Sequence, residues 1–98
     1  MDICTPHPRL YFDANSQLAE RSYALVQGTL DDLAALGLDP AAACGLRFTF
    51  VQEELGDSDE LDALVFNGRI SHSPSLGHFA LADAGGAQWL SDFRSRGA

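Results

Sequence analysis

The chain has 98 residues, 46% of them hydrophobic, and its formal net charge at pH 7 is −8. It contains six arginines, no lysine and fourteen carboxylates. Nucleic acids and anionic membrane surfaces are therefore poor partners, since binding to phosphates requires basic side chains. The length predicts a single domain, residues 1–98, and the charge makes a basic protein surface the better partner.

The first residues predict a cytoplasmic protein. Residues 1–8 form a short polar lead with two prolines, which we expect to be flexible, and they lack the basic and apolar regions of a signal peptide. Cys4 and Cys44 match no disulfide or metal pattern, and no cofactor motif is present. The absence of lysine beside many alanines and glycines suggests a bacterial or phage source.

The first half of the chain predicts a short strand and a long helix. Leu10–Phe12 is a brief β-prone run. Apolar residues recur at helical spacing from Leu18 onward, which predicts a helix over residues 14–36 that ends at Gly37. Asp39 followed by Pro40 predicts the start of one further helical turn.

The second half predicts strands. Residues 46–51 alternate in the manner of a half-buried strand, and residues 61–66 form the next. Asn67-Gly68 then predicts a two-residue type I′ turn, because both turn positions need positive φ. His78–Ala82 is a short strand, and Asp83 caps a last helix that carries Trp89, Leu90 and Phe93.

These elements predict an α+β fold with a small antiparallel sheet of three to four strands and two helices on one face. A ferredoxin-like variant is the first topology to consider. The predicted turn leaves Leu64 and Phe66 on a face that the helices do not cover, and a second chain is the simplest cover for it in so small a domain. The sequence therefore predicts a homodimer with these two residues at the interface.

Acidic residues are concentrated between the two central strands. Six of the fourteen carboxylates lie within ten residues: Glu53, Glu54, Asp57, Asp59, Glu60 and Asp62. Such a run is most often a solvated loop, and it also suits a partner-binding surface that faces a basic protein. A calcium loop is disfavoured, because Leu61 stands where a third ligand is needed.

Histidines offer a different function. His72 and His78 flank the strand break at Ser73-Pro74-Ser75, and either Asp83 or His7 is a candidate third ligand for zinc or iron. No ligand spacing here is diagnostic, so structural or surface histidines are the simpler interpretation. The sequence thus predicts no metal site, with His7, His72 and His78 as the candidates if one exists.

Two segments resemble a known family. The stretch from His7 to Ala14 resembles the opening strand of DOPA 4,5-dioxygenase-like proteins, and the stretch from His72 through Gly77 to Leu90 resembles their closing segment. The resemblance implies a ferredoxin-like, metal-dependent enzyme with His7 and His72 as ligands. The chain departs from the family where its His-x-His opening reads His7-Pro8-Arg9, and the family's central histidine-bearing stretch has no counterpart.

The sequence therefore favours a non-enzymatic function. We expect a small acidic cytosolic protein-binding module, such as an inhibitor, immunity or counter-defence protein, that occupies a basic surface of a partner protein. Two alternatives remain open, a small metal-dependent enzyme and a structural subunit of a homo-oligomer.

Overall fold

The computed structural model describes residues 7–55 and 61–89. The strands in these ranges are β1 (Arg9–Tyr11), β2 (Gln17–Ala19), β3 (Ser22–Ala24), β4 (Arg47–Leu55), β5 (Leu61–Ser73), β6 (Gly77–Ala82) and β7 (Gln88–Trp89). The helices are α1 (Gln27–Ala35) and the single turn α2 (Pro40–Ala43), and a 3-10 turn spans Ala14–Ser16. Neither described α-helix has the length and apolarity that crossing a membrane requires.

The seven described strands form one mixed sheet. Its order is β1-β4-β5-β6-β3-β2, and β7 also pairs with β5. β1 runs parallel to β4, and the other pairings are antiparallel. The predicted fold, a three- to four-stranded antiparallel sheet with two helices on one face, is therefore wrong. The sheet is larger because residues 17–19, 22–24 and 88–89, which were predicted to be helical, form strands.

β5 is the central strand and has thirteen residues, about twice the usual length of a strand. β4 pairs with it from Leu61 to Arg69, and β6 pairs with its C-terminal part from Gly68 to Ser73. β7 pairs with Leu64 and Val65. Since β4 already occupies one edge there, β7 continues along the edge where β6 lies. β5 is thus held on both edges by three other segments.

Asn67 and Gly68 lie inside β5, so the predicted type I′ turn is wrong. Both residues pair with β4, and Gly68 also pairs with Ala82 of β6. Gly68 has no positive φ, so a turn does not explain this glycine. Its missing side chain lets β6 approach closely, because a Cβ there would collide with the carbonyl oxygen of Leu81. Pairing on both edges outweighs the local turn preference.

The predicted helix over residues 14–36 is confirmed only in its last part, α1. Before it come the 3-10 turn and the β2–β3 hairpin, in which Arg21 has a φ of 61°. Tyr23 of β3 pairs with Ala80 of β6, and its ring stacks on Phe66 with centroids 5.3 Å apart. The apolar spacing of residues 18–26 also fits strands, and the edge of β6 supplies backbone partners that a helix would leave unused.

Two predicted helix-end signals, Gly37 and Asp39, are confirmed. Gly37 follows α1 with a φ of 76°, and its N–H donates to the carbonyl oxygen of Ala34. Asp39 precedes α2, and its carboxylate accepts the N–H of Ala42 at 2.7 Å. These signals depend on neighbours within a few residues, which is why sequence alone locates them.

The predicted last helix after Asp83 is wrong within the described residues. Gly85 and Gly86 have φ values of 100° and 63°, which break a helix and turn the chain toward β7. Trp89 lies in β7. Leu90 and Phe93, the other two residues assigned to this helix, lie outside the described residues.

The main core lies on one face of the sheet and is largely aromatic. The rings of Phe12, Tyr23 and Phe50 surround Phe66, with centroids 4.6 to 5.3 Å from its centroid. A smaller buried cluster forms on the other face of β4 and β5, from Val51, Ala63 and Val65. The long central strand therefore carries buried side chains on both faces.

Phe66 is only 1% exposed, and Leu64 is half-buried against the same core. The uncovered face that led to the predicted interface at these residues is thus covered by this chain itself. A Phe66→Glu variant would test folding rather than association. Homodimer formation itself stays a prediction.

α1 closes the outer edge of β1. Because alternate residues of β1 bond to β4, the N–H and C=O of Tyr11 point away from the sheet. The hydroxyl of Thr29 donates to the Tyr11 carbonyl at 2.7 Å, and the carboxylate of Asp32 accepts the Tyr11 N–H at 2.8 Å. Thr29 and Asp32 share one helix face because they are three residues apart. Their side chains replace a further strand at this edge.

Gly68→Ala should destabilise the protein more than Gly77→Ala. The new methyl group at Gly68 must displace the backbone of β6, and we expect the free energy of unfolding to fall by about 3 kcal/mol. Gly77 is the matched control: its φ of 69° strains an alanine, but nothing lies within 4 Å of the added Cβ, and this costs about 1 kcal/mol. Urea unfolding measures both, and an equal loss would contradict the close approach of β5 and β6.

Asp32→Ala should open the edge of β1. Losing the acceptor of the Tyr11 N–H should lower the free energy of unfolding by about 1–2 kcal/mol and accelerate hydrogen exchange at that amide. Asp31→Ala is the control, since the Asp31 carboxylate is exposed and accepts a bond from the side chain of Gln27. If the Tyr11 amide exchanged at the same rate in both variants, α1 would not be sealing this edge.

Candidate functional site

The acidic run begins where the β4–β5 ladder ends. The last opposed pairs are Glu53 with Ala63, Glu54 with Asp62, and Leu55 with Leu61. Glu53 is exposed. Three predicted partner-binding residues lie outside the described residues: Asp57, Asp59 and Glu60. The backbone register places two further acidic residues, Glu54 and Asp62, directly opposite each other.

Basic side chains lie at the other end of the β4–β5 pairing. Arg47 and Arg69 are directly opposed, and both are exposed. Asp83 accepts bonds from both terminal nitrogens of Arg47, at 2.8 and 2.5 Å. The hydrogen bonds from Arg47 lower the pKa of the Asp83 carboxyl, with smaller contributions from the positive charges of Arg47, Arg69 and His7. The same hydrogen bonds raise the pKa of Arg47.

Charge is thus segregated along the β4–β5 hairpin. Glu53 lies six positions after Arg47 on β4, which corresponds to about 20 Å of strand. One end carries Arg69 together with the Arg47–Asp83 ion pair, and the other end leads into the acidic residues 56–60. Because the whole chain has a net charge of −8, the acidic end agrees in sign with the average field of the molecule.

A shallow pocket opens beside the acidic end, between β1, β4 and α1. Its volume is about 280 Å³, and it is lined by Arg9, Leu10, Tyr11, Asp32, Val51 and Glu53. The Tyr11 ring packs on Gly28 of α1, where an added Cβ would lie 2.8 Å from its Cδ2 atom. The helix backbone therefore fixes one wall. Buried Leu10 and Val51 contribute apolar lining, and the charged groups come from the other residues.

Sequence reasoning singled out only Glu53 among these pocket residues. The sequence did indicate that two other pocket residues lie on the outward face of a strand. Arg9 and Tyr11 alternate with the apolar Leu10 and Phe12, which is typical of a strand with one face in the core. No signal placed Asp32 beside them, because it lies twenty-one residues from Tyr11 in sequence. The pocket exists only once α1 has packed along β1.

The three candidate metal ligands do not form one cluster. His72 and His78 are opposed across β5 and β6, with ring centroids 4.7 Å apart. His7 contributes to lowering the pKa of Asp83, a residue that follows the other end of β6. Within residues 7–55 and 61–89, no three His, Cys, Asp or Glu side chains are grouped so that they could hold a metal ion. The sheet thus brings the imidazole rings of His72 and His78 together, and His7 does not join them.

Comparison with known proteins identifies no family for this chain. No protein-family model, curated protein or solved structure matches this chain. The ferredoxin-like fold implied by the resemblance to DOPA 4,5-dioxygenase-like proteins does not fit the seven-stranded mixed sheet. Function is therefore argued from the geometry and charge of the described residues.

Asp83→Asn should remove an acid-sensitive part of the stability. Because the folded pKa of Asp83 is lowered, the ion pair stabilises the fold above the unfolded-state pKa of about 3.9. This stabilisation is lost as the pH falls through the folded pKa. Both side chains are well exposed, at 40% and 46%, so we expect a contribution of only about 0.5–1 kcal/mol.

Urea unfolding of the parent and of Asp83→Asn, at about pH 6 and about pH 2, measures this difference. Asp31→Asn serves as the control, because its carboxylate is exposed and far from the arginines along the chain. The free energy of unfolding of the parent should exceed that of Asp83→Asn only at the higher pH. A difference of the same size at both values would mean that Asp83 stabilises the fold by some other contact.

Proposed function

We propose that this protein is a small acidic binding module that acts in the cytosol by occupying a basic surface of a partner protein. The observation that carries the proposal is the segregation of charge along β4 and β5. Carboxylates are concentrated at one end of the hairpin, and Arg47 and Arg69 lie at the other. An inhibitor, immunity or counter-defence role fits this size and charge.

Concentrated charge on one surface changes the rate at which two proteins associate. A patch of one sign steers an oppositely charged surface during diffusion, raises the association rate and makes it sensitive to salt. Carboxylates scattered over the surface would give solubility without this effect. The six carboxylates between Glu53 and Asp62 therefore suit encounter with a basic partner better than solubility alone requires.

Glu53 is the residue of the acidic run whose side chain the structure describes. It lies on β4 opposite Ala63 of β5 and is exposed. Because its backbone is paired before binding, less conformational entropy is lost on association, which favours Glu53 as a contact with the basic partner.

Removing charge from the acidic run should slow association with the partner. The test variant combines Asp57→Asn with Glu60→Gln. The control combines Asp31→Asn with Glu20→Gln, two exposed carboxylates away from the hairpin end, so that both variants change residue types and net charge equally. At low salt we expect roughly tenfold slower association for the test variant and almost none of this loss for the control.

The partner is first captured from a lysate on the immobilised protein and identified by mass spectrometry. Association rates of the purified partner are then measured over a range of salt concentrations, with thermal melts to confirm that both variants fold. Equal slowing by the two variants would show that only net charge matters. Unchanged association rates in both variants would mean that the acidic run is only a solvated loop.

A further inference from the structure

We infer that His72 and His78 together bind one late first-row divalent metal ion, of the class that includes Zn²⁺, Ni²⁺ and Cu²⁺. The two imidazoles lie opposite each other where β5 turns into β6. Water completes the coordination of the ion. The site lies at the other end of β5 from the acidic run, so it does not depend on the proposed contact with a basic partner.

The register of β5 and β6 places the two imidazoles side by side. His72 is directly opposite His78, in the pair next to Ser73 and Gly77. Directly opposed residues project their side chains from the same face, with Cβ atoms about 4.5–5.5 Å apart. The turn holds this register, since Gly77 has a φ of 69° and the Ser73 hydroxyl oxygen accepts the N–H of Leu76 at 3.0 Å. The backbone therefore sets the spacing of the pair before any ion binds.

The distance between the rings matches that of two imidazoles on one metal ion. A metal–nitrogen bond of about 2.1 Å puts each ring centroid about 3.2 Å from the ion. Angles of about 90° to 109° at the ion, for octahedral and tetrahedral geometry, then separate the two centroids by about 4.5–5.2 Å. The centroids of His72 and His78 are 4.7 Å apart, so the rings need little movement to share an ion.

The angle between the rings also permits a shared ion. The lone pair of an imidazole nitrogen lies in the ring plane, so two parallel stacked rings direct their lone pairs along planes that never meet. The planes of His72 and His78 are inclined by 57°, so they intersect and one ion can lie in both. Among the described residues, neither ring makes a hydrogen bond, which leaves its nitrogens available as ligands.

The pair is open to solvent on one side and carried by well-packed strands on the other. His72 is exposed and His78 is half-buried, so an ion and its bound water can reach them. The next residues on the same face, Ile70 and Ala80, are opposed to each other and buried in the main core. That core fixes the strand segments from which the imidazoles project.

The ligand set selects the class of ion. Imidazole nitrogen suits Zn²⁺, Ni²⁺ and Cu²⁺, whereas Mg²⁺ and Ca²⁺ prefer oxygen ligands. No third His, Cys, Asp or Glu side chain joins the pair in the described part of the chain. Two protein ligands are fewer than the four of a structural zinc site, so the ion exchanges with solution rather than forming a permanent part of the fold.

The test titrates untagged, isotope-labelled protein with Zn²⁺ and follows the histidine ring resonances by NMR. The chain has three histidines, and those of His72 and His78 should shift together and saturate, whereas that of His7 should not. Mg²⁺ at the same concentration should leave His72 and His78 unchanged. This comparison separates coordination from the attraction of any cation to a net charge of −8.

Variants then assign the two ligands. His72→Gln and His78→Gln should each weaken Zn²⁺ binding roughly a hundredfold, because the second imidazole acts at a high effective concentration once the first has bound. His7→Gln is the matched control and should bind Zn²⁺ as the parent does, and thermal melts without metal check that all three variants fold. Separate saturation of the two rings, parental affinity in either single variant, an equal loss in His7→Gln, or equal shifts with Mg²⁺ would each overturn the inference.

Discussion

Pairing of β5 on both edges is the constraint on which the rest of the structure depends. β4 holds one edge, and β6 and β7 hold the other. This arrangement keeps Asn67 and Gly68 extended, and it allows Phe66 to sit at the centre of the aromatic core. It also extends the strand far enough that its two ends present different surfaces. The strand begins within the acidic run, at Leu61, and passes Arg69 before it ends at Ser73.

The second determining contact is between α1 and β1. β1 is short and parallel to β4, so its outer edge would expose unpaired backbone groups. Thr29 and Asp32 satisfy the two groups of Tyr11 that point outward. The same contact forms one wall of the pocket, where the Tyr11 ring rests on Gly28. The contact that closes the edge of β1 thus also forms a wall of the pocket between β1, β4 and α1.

The acidic end of β4 and β5 acts at long range, through the sign and density of its charge. The pocket beside it is lined by the charged residues Arg9, Asp32 and Glu53. Glu53 belongs to both, so the pocket borders the surface proposed to face a basic partner.

Sequence alone determined the local features of this protein. The end of α1 at Gly37, the cap at Asp39 and the existence of β4 and β6 could be predicted, since each depends on alternation or on neighbours within a few residues. The density of acid and its place between two strands were also visible. Tertiary structure decided the features that depend on distant pairing: the strands before α1, the straight path through Asn67, and the meeting of Asp32 with Tyr11. The physical reason is that short apolar runs satisfy helix and strand patterns alike, and only the backbone partners available in the folded sheet select between them.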